Sequence, residues 1–559
     1  MRDWTAQRLP KAVECLRDYS RGAFLHDLLA GVTVGLVALP LAMAFAIASG
    51  LPPQAGIYCA VTTGFLISAL GGSRYQIGGP TGAFVVVVAA IVARYGVDGL
   101  FMCTMMAGVI LIVAGLFGFG TAVRFIPRPV VVGFTNGIAL VIASTQIRDF
   151  FGLQVSRVPG EFVPRLRALL AHAPTWSPAT TALATLTLVA MIVAIRLIPR
   201  VPPYILALVG GSTAVALLGL NVETIGSRFG GIPGGLPAVH LPAFRPDLVL
   251  TLLSPALTVA MLGAIESLMS AVVADKLGGD RHNPNVELVA QGVANVVSPM
   301  VGGLPATGAI ARTATNIRSG ARTPVAGMIH ALVLLAILAA GAPLAANIPL
   351  AVLAAILLVV AYNMGEWGEI PELLRMSKTD ITVWIVTFAL TVFADLTLAV
   401  EIGMILAALL FIRRVAETTT VSEVTEEDVA EGRAHVLQDK EIPEHVRIFR
   451  IHGPFLFGVT DKLDVIAERL DDLPPVVVVR LRNMTAIDAT GLRAIQTLAD
   501  ALRQSGRTLL LCGAREQPTR LMRQAGFEAH IGRENILPHV RAALERAQQI
   551  GDILAPRRA

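Results

Sequence analysis

The 559-residue chain reads as a polytopic α-helical membrane protein of fourteen embedded segments, two halves of seven in opposite orientation, followed by a small α/β domain. Three observations predict that class. Hydrophobic residues make up 54% of the chain and charged ones 15%, a balance foreign to a wholly soluble protein. Charge is unevenly placed: residues 1–417 hold 26 Lys/Arg and 20 Asp/Glu, while residues 418–559 hold 19 and 20, more than twice the density. Finally, a short glycine- and proline-containing motif occurs twice, 224 residues apart, once in each half of the apolar region.

The pattern divides the chain into a cytosolic N-terminal segment (1–25), a transmembrane domain (26–416), a polar linker (417–435), an α/β domain (436–549) and a tail (550–559). The N-terminal stretch has no apolar run before residue 28, so it does not resemble a cleaved secretory signal and should stay attached. Apolar stretches of spanning length lie at 28–48, 54–70, 99–119, 129–147, 179–198, 203–220, 250–274, 286–301, 323–341, 349–363, 380–394 and 396–412. Two more, 80–93 and 305–317, are too short to cross alone and open with Gly and Pro; counting both gives fourteen. An even total puts both termini on one side. Eighteen Lys/Arg fall on the N-terminal side of the membrane against seven opposite, which predicts cytoplasmic termini, although the outer loop 148–178 carries four arginines against the trend.

The repeat is Gly78-Gly79-Pro80-Thr81-Gly82-Ala83 and Gly302-Gly303-Leu304-Pro305-Ala306-Thr307-Gly308-Ala309. Gly-Pro pairs commonly just punctuate loops. Recurrence at matching positions in halves of seven spans instead fits the broken helices of inverted-repeat secondary transporters. A helix that begins in mid-membrane presents unpartnered N–H groups and the positive end of its dipole, which attracts anions. Thr81, Gly82 and Ala83, with Thr307, Gly308 and Ala309, are therefore the substrate-binding candidates, the threonines adding hydroxyls and the glycines close backbone approach.

Side chains add to this cradle. Glu266, in the middle of the span 250–274, is an expensive intramembrane carboxylate, read as a coupling site for a proton or cation or else as a polar strut. Ser270, one turn on, can share its ligand. Arg312, about two turns into the second short helix, can hold an anion directly or pair with Glu266. Phe45 is read as an apolar wall or a packing aromatic, and Asn136 as interhelical glue or a ligand. Asp27, Asp275, Lys276, Asp395 and Glu401 sit near predicted span ends and are expected at the interface with water.

Beyond Arg414 the apolar runs VRIFRI, PFLFGV, PVVVVRLRNM and RTLLLCG alternate with helical patterns at 461–472, 490–504, 515–526 and 535–549, a small α/β arrangement. Neither GxGxxG nor a Walker sequence occurs, so no ATP-driven engine is visible. Cys15, Cys59, Cys103 and Cys512 have no disulfide or metal spacing, and the net charge of +5 is dispersed rather than gathered into a nucleic-acid footprint. Asp488-Ala489-Thr490-Gly491 stands between a strand and a helix; Asp488 is at least a good N-cap there.

Together, DLLAGVTVGLVALPLAMAFA, GGSRYQIGGPTGAF, AIESLMSAVVADK, GGLPATGAIARTATNIRSGARTP and the IDATG of the tail resemble the SulP family of anion transporters, relatives of the prestin- and pendrin-type exchangers, with a C-terminal STAS domain. The resemblance covers nearly the whole chain. It implies a seven-plus-seven inverted repeat with core and gate domains as in uracil permeases, a homodimer, a bacterial inner-membrane location, no enzymatic activity, no cofactor and no metal. Within the family the chain looks closest to permeases of dicarboxylates such as succinate or fumarate, or of sulfate. Leu41 and Phe45 replace the Gln and Tyr of many sulfate-type members. Bicarbonate members resemble it at Glu266 and Ser270, where a carboxylate and Thr help bind sodium, but lack an arginine matching Arg312; its charge turns the expectation toward a coupling proton. STAS relatives that are switched by phosphorylation carry Ser or Thr directly after the motif Asp; here that residue is Ala489, which argues against a switch by that route and leaves only Thr490 nearby, so that Asp488 and Thr490 are the regulatory candidates of a domain that can bind a cytosolic protein partner. The leading expectation is a gradient-driven transporter of a small anion. Its rivals are a sodium-coupled bicarbonate transporter, a nucleobase permease and a membrane-anchored signalling protein.

Overall fold

The computed structural model describes residues 9–17, 19–121, 127–155, 158–197, 202–233, 238–243, 245–394, 396–424 and 442–554. The chain forms two compact units, Met1–Ile405 and Leu406–Ala559.

The first unit is helical. After α1 (Lys11–Leu16) come α2 (Arg21–Ala48), α3 (Pro53–Leu70), the two-residue strand β1 (Gly78–Gly79) and α4 (Gly82–Leu116). Next are α5 (Arg128–Phe151), α6 (Phe162–Ala171), α7 (Pro178–Leu197), α8 (Pro203–Leu218) and α9 (Ile225–Phe229). The second half holds α10 (Val249–Gly278), α11 (Pro284–Val297), β2 (Thr307–Gly308), α12 (Ile310–Arg318), α13 (Val325–Ala345), α14 (Leu350–Met364), α15 (Ile370–Leu373) and α16 (Lys378–Phe393). α17 (Leu396–Thr418) runs across the boundary between the units.

Each of the twelve apolar stretches falls on a helix, and among the described residues seven helices are long and apolar enough to cross a membrane. Local chemistry sets their ends. Proline stands in the first turn of α3, α5, α8 and α11, where its missing N–H costs nothing. Left-handed glycines, Gly152, Gly219 and Gly279, close α5, α8 and α10. The short stretch 80–93 does not end as a free half-helix: α4 continues through Gly96, whose φ of 73° breaks the helical path before the spanning part resumes. The second short stretch divides into β2 and α12, because residues 305–309 are extended.

Helix partners fall into two groups. α2, α3, α4, α10, α11, α12 and α13 pack mainly on one another; α5, α7, α8, α14 and α16 form the other set. The pairings interchange between halves: α4 packs on α10 and α11 as α13 packs on α2 and α3, and α5 packs on α16 as α14 packs on α7. Where the first group is deepest, β1 and β2 pair antiparallel, Gly78 opposite Gly308 and Gly79 opposite Thr307. The two glycine motifs thus cross in the interior.

The second unit is a five-stranded sheet, ordered β3 (Thr420–Glu423), β4 (Val446–Phe455), β5 (Val476–Ile487), β6 (Thr508–Cys512) and β7 (Ile536–Leu537). Only β3 runs antiparallel to its neighbour. α18 (Asp464–Ala467), α19 (Ala489–Gln504), α20 (Glu516–Gln524), α21 (Phe527–Ile531) and α22 (Val540–Leu554) complete it. Strand alternation sorts β5: Val477, Val479 and Leu481 join α19, α20 and α21 in one core, while Val476 and Val478 join α22 in the other. Three expectations need correction. The stretch 417–435 is not all linker, since Thr420–Glu423 pairs along β4 and covers that edge of the sheet. The helical pattern at 461–472 folds as 3-10 turns around the single-turn α18. At 535–549 a strand, β7, comes first, and the helix begins at Val540 after Pro538 interrupts the chain.

Candidate anion-binding site

The crossing of the two motifs is held by side chains from neighbouring helices. Asn295 of α11 makes a reciprocal pair with the extended segment before β2, its amide donating to the Ala306 carbonyl and its oxygen accepting the Ala306 N–H, both at 2.8 Å. Ser267 of α10 lies 2.6 Å from the Thr307 hydroxyl and accepts the Gly308 N–H at 3.1 Å. The Ala309 N–H reaches the Ile77 carbonyl at 2.8 Å. Thr313 accepts from the Ile77 N–H and from the Ser270 hydroxyl, each at 3.1 Å. The polar groups of Thr307 and Ser270 and the N–H groups of Gly308 and Ala309 are thus engaged within the protein and anchor the crossing.

The start of α4 is different. Thr81 is its N-cap but caps nothing with its side chain; the hydroxyl donates instead to Glu266 Oε2 at 2.8 Å. Among the described residues no side chain therefore caps the first-turn N–H groups at Gly82 and Ala83, where the helix dipole is positive. The wall over this turn is apolar: a β-carbon on Gly82 would lie 2.6 Å from Met364 Sδ, 3.3 Å from Ile142 Cδ1 and 3.4 Å from Phe45 Cε1. Phe45 thus faces the start of α4. α12 also starts without a side-chain cap, and Ile310 and Ala311 in its first turn are exposed.

Arg312 enters this space from α12. Its side chain is buried, one nitrogen donates to the Pro80 carbonyl, and Nη1 has no hydrogen-bond partner among the described residues. Gly79 makes room for it, since a β-carbon there would sit 2.4 Å from Nη1. Glu266 is half-buried, and no ion pair among the described residues joins it to Arg312. A buried guanidinium with an unused donor beside an open helix start is costly alone and becomes favourable when an anion completes it.

Other sequence candidates take structural places. Asp27 is not interfacial: it is fully buried and accepts the N–H groups of Arg322 (2.7 Å) and Thr323 (3.0 Å) and the hydroxyls of Thr323 (2.6 Å) and Tyr19 (3.1 Å). Those four donors offset its desolvation and tie α2 to the turn before α13. Asp275 binds His282 at 2.7 Å, and Lys276 is exposed. Asn136 donates to the Gly365 carbonyl and accepts from Trp384 at 2.9 Å, so it joins α5 to α16 and the end of α14. Asp395 and the side chain of Glu401 lie outside the described residues. In the second unit Asp488 caps α19, accepting the Gly491 N–H at 2.8 Å and that of Phe457 at 2.9 Å, while Thr490 is exposed. Sequence reasoning missed Ser267, Asn295, Thr313, Ile142 and Met364. Ser267 and Thr313 directly follow Glu266 and Arg312 and share their helices; nothing in a single sequence singles out Ile142 or Met364.

Comparison with known proteins agrees with this architecture. Residues 24–387 match the model of the Sulfate permease family, and residues 438–543 match the STAS domain. YvdB of Bacillus subtilis (strain 168) is 39% identical over 94% of this chain and 98% of its own length. The bicarbonate transporter BicA of Synechocystis sp. (strain ATCC 27184 / PCC 6803 / Kazusa) is 34% identical over 88% of this chain and 89% of its own. The structure of the murine anion transporter Slc26a9 in its inward-facing state superposes with a TM-score of 0.85 at 18% identity, covering 98% of this chain and 95% of that one, which establishes the shared fold.

Proposed function

Because the chain belongs to the sulfate permease family and is therefore a multi-pass membrane transporter of anions rather than an enzyme, we propose that it carries one small oxyanion per cycle between the start of α4 and Arg312. The observation that carries this reading is the buried guanidinium whose Nη1 has no partner, set beside the uncapped first turn of α4. The two sequence halves act as an inverted repeat, with the α2/α10 group as core and the α5/α14 group as gate; the interchanged helix pairings and the antiparallel β1–β2 crossing support this. Both termini face the cytoplasm of a bacterial cell, and the transporter works as a homodimer, as the charge census and the family resemblance imply.

Sulfate or a dicarboxylate such as succinate or fumarate is the cargo, and a proton is the coupling ion. Glu266 bonds Thr81 of α4, whereas Ser270 bonds Thr313 of α12, so the two proposed sodium ligands are turned toward different partners. A proton needs only the carboxylate. Moving the Thr81–Glu266 contact as the anion binds at Gly82 and Ala83 links the two events within one hydrogen bond. The second reading, sodium-coupled bicarbonate transport, draws on the relative BicA.

Purified protein in liposomes tests both. Labelled sulfate, succinate, fumarate and bicarbonate are offered under an inward proton gradient, an inward sodium gradient, or neither. Accumulation of sulfate or a dicarboxylate under the proton gradient supports the proposal. Sodium-driven bicarbonate accumulation replaces it with the second reading, and no uptake of any of these anions refutes both.

A further inference from the structure

We propose that a file of water molecules runs inside the first unit along the irregular segment 71–77 and carries the coupling proton between the anion site and the cytoplasmic face. This route rests on the proton-coupled reading above. Residues 71–77 join α3 to β1 with neither helix nor strand, so their polar groups need partners from outside the segment. Some have them. Glu287 of α11 accepts the N–H groups of Gly72 at 2.9 Å and Ser73 at 3.2 Å, and the Gln291 amide at 3.0 Å. Asn316 of α12 donates to the Tyr75 carbonyl at 2.9 Å, and Thr313, one turn earlier, takes the Ile77 N–H at 3.1 Å.

Between these anchors other buried polar atoms are left over. Ser73 Oγ, both amide atoms of Gln76, Gln291 Oε1 and Asn316 Oδ1 have no hydrogen-bond partner among the described residues. Their residues are nonetheless buried, Ser73 to 4% exposure, Gln76 to 3%, Asn316 to 1% and Gln291 to 0%. Amides and hydroxyls in that position are costly, and where several gather proteins hold internal water. The leftover atoms follow a path. Gln76 lies against β2, because a β-carbon on Gly308 would collide with its Nε2, and Arg312 with its unused Nη1 follows four residues later. On the Glu266 side, Ser270 is one turn further along α10 and donates to Thr313 at 3.1 Å. Thr313 and Asn316 then hold the residues on either side of Gln76. At the far end Ser73 adjoins Arg74, which together with Lys11 pairs with Asp280, each at 3.4 Å, and these three side chains reach solvent. Glu287 is occupied by its three donors and His282 by Asp275, so both line the route without relaying along it. A proton leaving the Glu266 carboxyl converts the nearest water to hydronium and advances by exchange of O–H bonds. Each water returns to neutral, and the last proton enters the cytoplasm.

Two tracer measurements on the full-length protein in liposomes test this with labelled sulfate and labelled succinate: accumulation after acidifying the outside, and exchange at equal pH, which moves no net proton. Gln76→Met keeps the length of the side chain but removes both amide groups. It should slow acid-driven accumulation about tenfold or more while exchange keeps at least about half its rate. Proton passage then limits the cycle, so the slowing in heavy water should exceed that of wild type. Gln76→Asn, which restores an amide, should recover accumulation. Ser73→Val, which replaces a hydroxyl without a partner near the mouth, should act as Gln76→Met does, and thermal melting confirms folding of each variant. A wild-type protein that shows no acid-driven accumulation overturns the route together with the proton-coupled reading. Wild-type accumulation matched by folded Gln76→Met and Ser73→Val overturns the route alone, and so does a loss of exchange as large as the loss of accumulation, which makes Gln76 a structural support.

Discussion

Replacing Arg312 by alanine should separate anion binding from folding. In the structure one guanidinium nitrogen is committed to the Pro80 carbonyl and Nη1 is unpartnered, so Nη1 can give an anion one charge-assisted hydrogen bond. Such a bond contributes about 1.5–3 kcal/mol, which corresponds to a Kd weakened by about 10- to 150-fold. Stability should change little, because deleting a buried cation that lacks an ion pair relieves desolvation while leaving only the Pro80 carbonyl without its donor. Arg312→Lys should recover less than half of the lost binding free energy, since an ammonium cannot serve Pro80 and the anion through one planar fork. The assay is equilibrium binding of the transported anion to detergent-purified variants, with thermal melting measured on the same samples. A folded Arg312→Ala protein whose Kd lies within about twofold of wild type would refute the assignment, because the bond inferred from Nη1 would then contribute less than any charge-assisted contact.

The close approach at Gly79 predicts that Gly79→Ala displaces Arg312 and lowers uptake as far as Arg312→Ala does, while Gly22→Ala, whose nearest neighbour is 3.9 Å away, leaves uptake unchanged; tracer uptake normalised to folded protein decides. Asp488→Ala should cost about 1–2 kcal/mol by removing the cap of α19, read as faster hydrogen exchange at the start of that helix, and Thr490→Ala should not. Removal of the chain after Arg414 should lower yield or rate without reordering the preferred anions, measured as uptake ratios. Between α8 and α9, burial raises the Glu223 carboxyl but Arg228 outweighs it and holds it below the usual range. Its contribution is therefore present above the unfolded-state value and lost as pH falls through the lower folded one, so the melting-temperature gap between wild type and Arg228→Gln should narrow below about pH 4.

What the sequence revealed follows from which forces act locally. Spanning helices are legible because the bilayer imposes length and hydropathy on contiguous residues, and each of the twelve stretches of spanning length falls on a helix. The glycine motifs are legible as a pair because two halves repeat them, but their division of labour is not. Whether Thr307, Gly308 and Ala309 face a solute or the protein depends on Ser267 and Ile77, groups that only folding brings near. Asp27 shows the same limit: position near a helix end suggested water, while its four donors come largely from a turn almost three hundred residues away.

The most direct test of coupling between anion and proton is accumulation driven by a pH step in liposomes clamped at zero membrane potential, comparing wild type with Glu266→Gln. The wild-type protein should concentrate the anion inside when the outside is acidified. Glutamine keeps the shape and can still accept from Thr81 but cannot take up a proton, so the variant should exchange internal for external anion at a rate near wild type without accumulating it. Acid-driven accumulation by the glutamine variant equal to wild type would contradict the account and make Glu266 a structural partner of Thr81.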